Sequence, residues 1–399
     1  MTKKWVKLRH SVVFGLLRPF FRVAMKKQYG FYCKRYKLPK GKPYLILSNH
    51  QAKSDQFLIS LIFNRPLYFV ARDDLFSMGF ASKLIKYLVA PIPKNKVAKD
   101  IQTIRDSMQV AKEGGCIGLF PEGNLTFSGT TEYIAPSVVK YIKMLKIPVL
   151  FVNVKGGYGV RPRWANKSRK GNIYGAVVRE MSYEEYKDYS NDEFYELITK
   201  ELYVDDRTLN KKFLSKERAE YMECCIYVCP KCGLTHFVSK GDTMTCTKCG
   251  YSAVYGEDLR FSTGEFETVK DWYDYQKEFV KNFDYEALGD EPLFTDNIRV
   301  MKDEIFHKRK YRVSKRTTVK MYVDRLEIID DFGSVTISLN DISAMAVCGR
   351  NKLEISDNER NNYFLMPTPR FNALKYVQFF YHYKNAQIAD ADKEEFLGL

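Results

Sequence analysis

Short apolar runs alternate with longer stretches of helical periodicity between about residues 30 and 180. The apolar runs have the length and composition of buried strands, and they cover 44–49, 66–72, 116–123, 147–154 and 173–180. The stretches between them have the pattern of helices, and they cover 54–64, 79–89, 99–113 and 134–146. Such alternation predicts an α/β domain over residues 30–182, with a mixed sheet covered by helices.

The pattern changes after residue 182. Residues 183–224 are polar, acidic and aromatic and predict a helical connector, and residues 256–295 predict a helical linker. From residue 296 to 399, stretches such as TTVKMYVDRLEIID and GSVTISLNDISAMAVCG predict a β-rich domain. A helix-like ending, PRFNALKYVQFFYHYKN, follows these strands, and the order resembles a pleckstrin-homology-like domain. No catalytic constellation stands out there.

Residues 1–29 mix large apolar side chains with regularly spaced cations, as in WVKLRHSVVFGLLRPFFRVAMKK. The uncharged run 10–17 is far shorter than the roughly 20 apolar residues that a spanning helix needs. No small-residue cleavage site follows, so a signal peptide is not expected. The segment therefore predicts a helix that lies in the plane of a membrane interface. The alternative is a core-packing helix with a solvated basic face.

Positive charge is concentrated in the N-terminal part of the chain. Residues 1–54 hold 14 of the 64 Lys and Arg and none of the 48 Asp and Glu, so the rest of the chain is close to neutral. Such a patch suits an anionic partner, either the negative leaflet of a membrane or nucleic acid. Because its cations are interleaved with apolar side chains, we expect a peripheral, monotopic protein on the cytoplasmic face of a membrane. Nucleic acid is not the expected partner.

Four cysteines form the pattern CxxC, thirteen residues, CxxC at Cys229, Cys232, Cys246 and Cys249. Each pair is followed by glycine, which permits the tight turn that directs two thiolates inward. The pattern predicts a zinc ribbon over residues 225–255, with structural zinc favoured over iron. A disulfide interpretation is weaker, because nothing indicates export from the cell.

A histidine and an aspartate mark the end of the first predicted buried strand. In LILSNHQAKSDQF, His50 falls in the turn after the strand and Asp55 in the first turn of the next helix. An aspartate that accepts the proton-bearing ring nitrogen would orient His50 as a general base. A His–Asp pair at this spacing is weak evidence by itself, because the same contact often only pins a loop.

A second strand, 116–123, ends in a similar way in LFPEGNLTFSG. Glu122 there predicts a charged group at the same edge of the sheet, and Gly123 would let backbone amides approach a ligand. The alternative is a glutamate that caps the following segment.

Together, NHQAKSD and FPEGNLT resemble the paired motifs NHxxxxD and FPEGxxS/T of the glycerolipid acyltransferases, specifically the 1-acyl-glycerol-3-phosphate acyltransferases. PIPKNK at 91–96 resembles the family's second block and IPVLFV at 147–152 its fourth, in the family's order. The resemblance covers about residues 1–180.

The resemblance implies acyl transfer from a thioester, on acyl carrier protein or coenzyme A, to the 2-hydroxyl of a lysophosphatidate. His50 would be the base and Asp55 its orienting partner, without a covalent acyl-enzyme. It also implies a set of acceptor-binding residues, namely Arg72, Lys94, Lys96, Glu122, Gly123 and Thr126. Acyl carrier protein is a candidate partner, for which the zinc ribbon is a candidate docking module.

Two positions depart from the family pattern. Leu125 stands where the family has an arginine, and Ala52 stands where a serine is frequent. The missing cation leaves the acceptor head group open, with four candidate replacements: Lys94, Lys96, Arg161 and Arg163. Two alternatives remain: a different lysophospholipid acceptor, and a non-enzymatic zinc-ribbon protein that binds membranes or nucleic acid.

Overall fold

The computed structural model describes residues 4–72, 80–94, 101–304, 309–312, 317–331, 333–359, 361–366 and 368–387. The chain divides into two compact units. The first comprises Met1–Arg163 and Ser168–Leu214, and the second comprises Trp164–Lys167 and Ser215–Leu399.

The first unit is built on a seven-stranded sheet. Its strands are β1 (Tyr32–Cys33), β2 (Tyr44–Ser48), β3 (Leu67–Arg72), β4 (Ile92–Lys94), β5 (Cys116–Leu119), β6 (Val149–Lys155) and β7 (Tyr174–Met181). Their order is β1-β7-β6-β2-β5-β3-β4. All neighbouring pairs are parallel except β6 and β7, which are antiparallel. The predicted mixed sheet is confirmed.

Helices cover both faces of this sheet. They are α1 (Leu8–Tyr29), α2 (Asp55–Ile62), α3 (Phe80–Leu88), α4 (Ile101–Lys112), α5 (Ser137–Leu145), α6 (Gly157–Val160), α7 (Tyr183–Tyr186) and α8 (Asn191–Leu202). Leu45 and Leu47 of β2 pack in one core with Val110 of α4 and Ile142 of α5. Ile46 points to the opposite face and is equally buried, so the central strand is apolar on both sides.

The second unit is mainly antiparallel β structure. It begins with the short strands β8 (Val228–Cys229), β9 (Gly233–Leu234), β10 (Phe237–Lys240), β11 (Thr243–Cys246) and β12 (Ser252–Val254), followed by helix α9 (Val269–Lys281). It continues with β13 (Phe294–Asn297), β14 (Arg299–Glu304), β15 (Arg309–Arg312), β16 (Thr317–Met321), β17 (Arg325–Asp330), β18 (Gly333–Ser338), β19 (Ile342–Cys348), β20 (Lys352–Asp357), β21 (Asn361–Met366) and helix α10 (Leu374–Ala386).

These later strands form two antiparallel sheets. One has the order β13-β16-β17-β18 and the other the order β15-β14-β21-β20-β19. The helix-like ending of the sequence is α10, which packs against β19 and α9.

Helix α9 lies in the region predicted as a linker, and its polar side chains join other parts of the second unit. Thr268 begins it with a capping box, in which Asp271 provides the reciprocal bond. The indole Nε1 of Trp272 donates to the Val228 carbonyl at 2.8 Å. Gln276 accepts from the Tyr227 N–H at 2.8 Å and donates to the side chain of Gln378 on α10 at 3.1 Å. Helix α9 therefore connects the cysteine-bearing strands to the C-terminal helix.

Candidate active site

The turn between β2 and α2 is fixed to the neighbouring strand β6. The Asn49 side chain donates to the Val154 carbonyl and accepts from the Val154 N–H, both at 2.8 Å. An asparagine side chain has one donor and one acceptor side, so it replaces a backbone pair where β2 has ended. The following residue, His50, is therefore held at the carboxyl edge of the sheet.

His50 and Asp55 make the contact that their spacing predicts. His50 Nδ1 lies 3.0 Å from Asp55 Oδ2, and the same oxygen accepts from the N–H groups of Gln51 at 2.7 Å and Ala52 at 2.9 Å. A carboxylate in this setting only accepts, so Nδ1 carries the proton and Nε2 keeps a free lone pair. Asp55 is fully buried, whereas 18% of the His50 side chain is exposed. The geometry is that of an oriented imidazole with access to solvent.

An aromatic ring packs on the imidazole. Phe120 stacks on His50 with ring centroids 4.0 Å apart and an interplanar angle of 16°. Phe69 of β3 stacks on Phe120 in turn, at 5.7 Å and 11°. The stack fixes the plane of the imidazole, while the bond to Asp55 fixes its rotation.

Glu122 ties this turn to the loop that follows β5. One carboxylate oxygen accepts from the His50 N–H and the other from the Glu132 N–H, each at 2.6 Å. Burial raises the pKa of Glu122 well above its ordinary value, while the two N–H groups favour the charged form. Both oxygens are thus engaged with the backbone. Acceptor contact by Glu122 stays a prediction.

Gly123 and Thr126 have different environments in the same loop. Thr126 is fully buried, its hydroxyl donates to Glu132 at 3.0 Å, and its N–H donates to the His50 carbonyl at 3.2 Å. Gly123 is exposed and has φ +67°, and a Cβ placed on it would meet no atom within 4 Å. Open space therefore adjoins Gly123, whereas Thr126 holds the loop together.

Two of the three predicted cations lie along the same edge of the sheet. Arg72 ends β3 and Lys94 ends β4, and the two are paired in the register of these parallel strands. Since β2, β5, β3 and β4 are consecutive parallel neighbours, the residues at their carboxyl ends share one edge with His50 and Glu122. Lys94 is exposed. Lys96 lies outside the described residues, and the role of all three stays a prediction.

Leu125 is buried, and an arginine from a later segment supports its backbone. Arg163 Nη1 donates to the Leu125 carbonyl at 2.8 Å, and its guanidinium lies 4.0 Å from the centroid of the Phe127 ring. Arg163 was one of the candidate replacements for the missing family arginine. Its side chain is itself buried beneath the loop.

No motif in the sequence singles out Gln51 or Asp206. The Gln51 side chain accepts from the N–H groups of Gly157 and Tyr158 in α6, and Asp206 accepts from those of Gly156 and Gly159. Backbone donors carry no signature in a sequence, and Asp206 lies about 150 residues beyond His50. The only sequence signal for either residue was the position of Gln51 directly after His50.

The second unit carries a separate candidate metal centre. The ligand atoms of Cys229, Cys232, Cys246 and Cys249 lie within 4.8 Å of one another. The Cys229–Cys249 and Cys232–Cys246 sulfur atoms are 3.6 Å apart. A tetrahedral site with Zn–S bonds of about 2.3 Å requires sulfur atoms about 3.8 Å apart, so the four cysteines fit zinc.

Residues 32–155 match the Acyltransferase family model. This segment contains His50, Asp55 and Glu122 and the strands that carry them. Residues 32–155 are therefore similar to an acyltransferase domain, which supports the prediction of an acyl-transferring enzyme.

A relative with a more specific description is the probable 1-acyl-sn-glycerol-3-phosphate acyltransferase of Mycoplasma genitalium. It is 27% identical over 128 residues, which make up 31% of this chain and 47% of that protein. The chain thus spans about half the length of this relative.

Two solved structures show weaker similarity. The 1-acyl-sn-glycerophosphate acyltransferase PlsC of Thermotoga maritima matches with TM-score 0.42 and 17% identity, over 48% of this chain and 78% of that chain. The N-terminal PH domain of human ARAP2 matches with TM-score 0.20 and 16% identity, over 25% of this chain and 87% of that domain.

Proposed function

We propose that the first unit transfers a fatty acyl group from a thioester to the 2-hydroxyl of 1-acyl-glycerol-3-phosphate, giving phosphatidate. The observation that carries this proposal is the oriented base: His50 Nδ1 lies 3.0 Å from the buried Asp55 carboxylate. The donor is acyl carrier protein or coenzyme A. The similarity to the Mycoplasma genitalium protein supports the choice of acceptor.

In this mechanism His50 Nε2 removes the proton of the acceptor hydroxyl as its oxygen attacks the thioester carbonyl. Asp55 keeps the imidazole in the required tautomer and stabilises the imidazolium that forms. When the tetrahedral intermediate collapses, the carbon–sulfur bond breaks and the imidazolium returns the proton to the departing thiolate. The products are the ester and the free thiol, and no acyl-enzyme forms.

The acceptor head group would lie at the carboxyl edge of β3, β4 and β5. The exposed Gly123 adjoins open space, and Arg72, Lys94 and Lys96 would supply positive charge for a phosphate. Because Leu125 provides no charge, a different lysophospholipid head group is the alternative acceptor.

The assay that tests this proposal uses the purified protein with lysophosphatidate and a panel of other lysophospholipids. Each acceptor is combined with acyl-coenzyme A and with acyl carrier protein thioester. We expect turnover with lysophosphatidate. Turnover with another head group alone would select the alternative acceptor. Absence of turnover with every pair would reject the proposed activity.

We also propose that the first unit docks on an anionic membrane surface, as a peripheral protein on the cytoplasmic face. Among the described residues, no helix has the length and apolar character needed to cross a membrane. Helix α1 exposes an apolar stripe, defined as Leu8, Val12, Leu16, Phe20 and Val23. Their spacing of three or four residues places them on one side of the helix.

A second helix adds apolar side chains to this surface. In α3, Leu84 and Tyr87 are exposed, and the Arg9 guanidinium of α1 stacks on Tyr87 at 4.1 Å from the ring centroid. Exposed apolar side chains next to cations suit the interface of an anionic bilayer.

The variant Leu16→Asp/Phe20→Asp should bind vesicles of phosphatidylglycerol and phosphatidylcholine at least about tenfold more weakly. Each lost side chain contributes ~1.5–3 kcal/mol on burial, and tenfold corresponds to ~1.4 kcal/mol. Co-sedimentation with the vesicles measures the affinity. Met144→Asp, at an exposed position on α5, is the control and should bind as the unchanged protein does. Equal binding by all three proteins would contradict a role of the apolar stripe in membrane binding.

We propose that zinc in the four-cysteine site is structural and that the strands β13–β21 with α10 form a pleckstrin-homology-like module. The two antiparallel sheets followed by one helix support the pleckstrin-homology-like assignment.

Nucleic-acid binding is the alternative for the chain as a whole. Salt-dependent retention on DNA that lipid does not alter would favour that alternative.

A further inference from the structure

Asp206 is a buried carboxylate outside the segment that the acyltransferase family model covers. It opens a short 3-10 turn, Asp206–Thr208, that follows α8. Its Oδ1 accepts from the Gly156 N–H at 2.7 Å, and its Oδ2 accepts from the Gly159 N–H at 3.2 Å. Both donors belong to α6 and the residue before it, so one carboxylate fixes the position of this short helix.

Helix α6 is hydrogen-bonded to the side chain of Gln51, the residue that follows the proposed base in the chain. Gln51 Oε1 accepts from the Gly157 N–H at 3.0 Å and the Tyr158 N–H at 3.4 Å. A Cβ on Gly157 would lie only 2.9 Å from this oxygen, so α6 and the Gln51 side chain are in close contact. The Gln51 N–H in turn donates to Asp55 Oδ2, the oxygen that holds the His50 ring. Movement of α6 would therefore reach the His50 turn through Gln51.

The segment that carries Asp206 is also paired with the end of the glutamate loop. The Asp206 N–H donates to the Gly129 carbonyl at 3.1 Å, and the Thr131 N–H donates to the Val204 carbonyl at 3.0 Å. Asp206 thus contacts, through its side chain and backbone, the two segments that flank the His50 turn on either side in the sheet.

We infer that Asp206 is a positioning residue for the His50 site, acting through α6 and Gln51. This inference rests on the proposed function of the first unit. The side chain at position 206 must accept two hydrogen bonds and donate none, because the N–H groups of Gly156 and Gly159 both point at it. Burial raises the pKa of Asp206 to about 6, and the N–H groups of Gly156 and Gly159 oppose this by favouring the charged form.

The test compares Asp206→Asn with Asp205→Asn in the acyl-transfer assay, with kcat expressed per folded molecule. In Asp206→Asn an NH2 group faces one of the α6 donors, so we expect kcat to fall at least about tenfold. KM for donor and acceptor should stay within about twofold, because the Asp206 side chain is buried and its oxygens bond to backbone N–H groups. Asp205 is the matched control, since its carboxylate pairs with Arg207 inside the same turn and should leave kcat unchanged.

A second readout does not depend on turnover. Amide hydrogen exchange should increase in Asp206→Asn both at residues 156–160 and at residues 50–52, and in Asp205→Asn at neither. Faster exchange at 156–160 alone, or an unchanged kcat per folded molecule, would overturn the positioning role. Absence of turnover in the unchanged protein would instead reject the proposed function, and the exchange at residues 50–52 would still decide whether Asp206 holds the turn.

Discussion

The His50→Ala variant should lose acyl transfer while keeping its fold. We expect kcat to fall by roughly 100- to 10,000-fold, the contribution of a positioned general base. The fold should persist because Asp55 Oδ2 keeps two other donors, the N–H groups of Gln51 and Ala52. Turnover of lysophosphatidate measures the loss, and circular dichroism with thermal unfolding measures the fold.

Two further variants complete this experiment. Asp55→Asn keeps the side-chain shape but removes the carboxylate that selects the tautomer, so kcat should also fall strongly. Lys53→Ala alters an exposed residue of the same turn and serves as the control, with kcat expected within about twofold. A folded His50→Ala protein with unchanged kcat would exclude His50 as the base.

If the four cysteines hold zinc as proposed, its removal should unfold the cysteine-bearing part of the second unit and loosen the β-rich remainder. Structural zinc contributes about 10–16 kcal/mol to folding in small zinc domains, so its loss is decisive for strands as short as β8 and β9. The effect should spread because Gln276 bonds both to the Tyr227 N–H and to Gln378 of α10. Calorimetry with and without a strong chelator should show a second-unit transition that moves to lower temperature.

The control for metal removal is the first unit, which contains none of the four cysteines. The transition temperature of the first unit should not change, and added zinc should restore the transition of the second unit. Cys229→Ser should reproduce the chelator effect, whereas Cys33→Ser, outside the cluster, should not. An unchanged transition after complete metal loss, verified by elemental analysis, would contradict a structural role.

The sequence predicted the parts of the fold and site that depend on local spacing. Strand β2 and helix α2 lie within two residues of their predicted bounds, because an apolar run and a helical pattern flank the turn. The same local geometry brings Asp55 back to His50, five residues away. Glu122 was expected at the edge of the sheet because, like His50, it directly follows a predicted buried strand.

The remaining features depend on contacts that a sequence does not encode locally. Glu122 accepts from the N–H of Glu132, and any residue except proline could supply that donor. Arg163 and Asp206 contact loops about 40 and 50 residues away in sequence, through carbonyl and amide groups of the backbone. Such partners become visible only when the chain is folded.

The indole of Trp272 gives the second unit an intrinsic optical probe. Its Nε1 donates to the carbonyl of Val228, the residue immediately before Cys229, and its ring is fully buried among aromatic neighbours. An indole that loses such surroundings and becomes hydrated emits at longer wavelength. The emission of Trp272 should therefore report the state of the cysteine cluster without an added label. Once Trp5 and Trp164 are replaced, zinc titration could be followed by the fluorescence of Trp272, even while the protein is bound to vesicles.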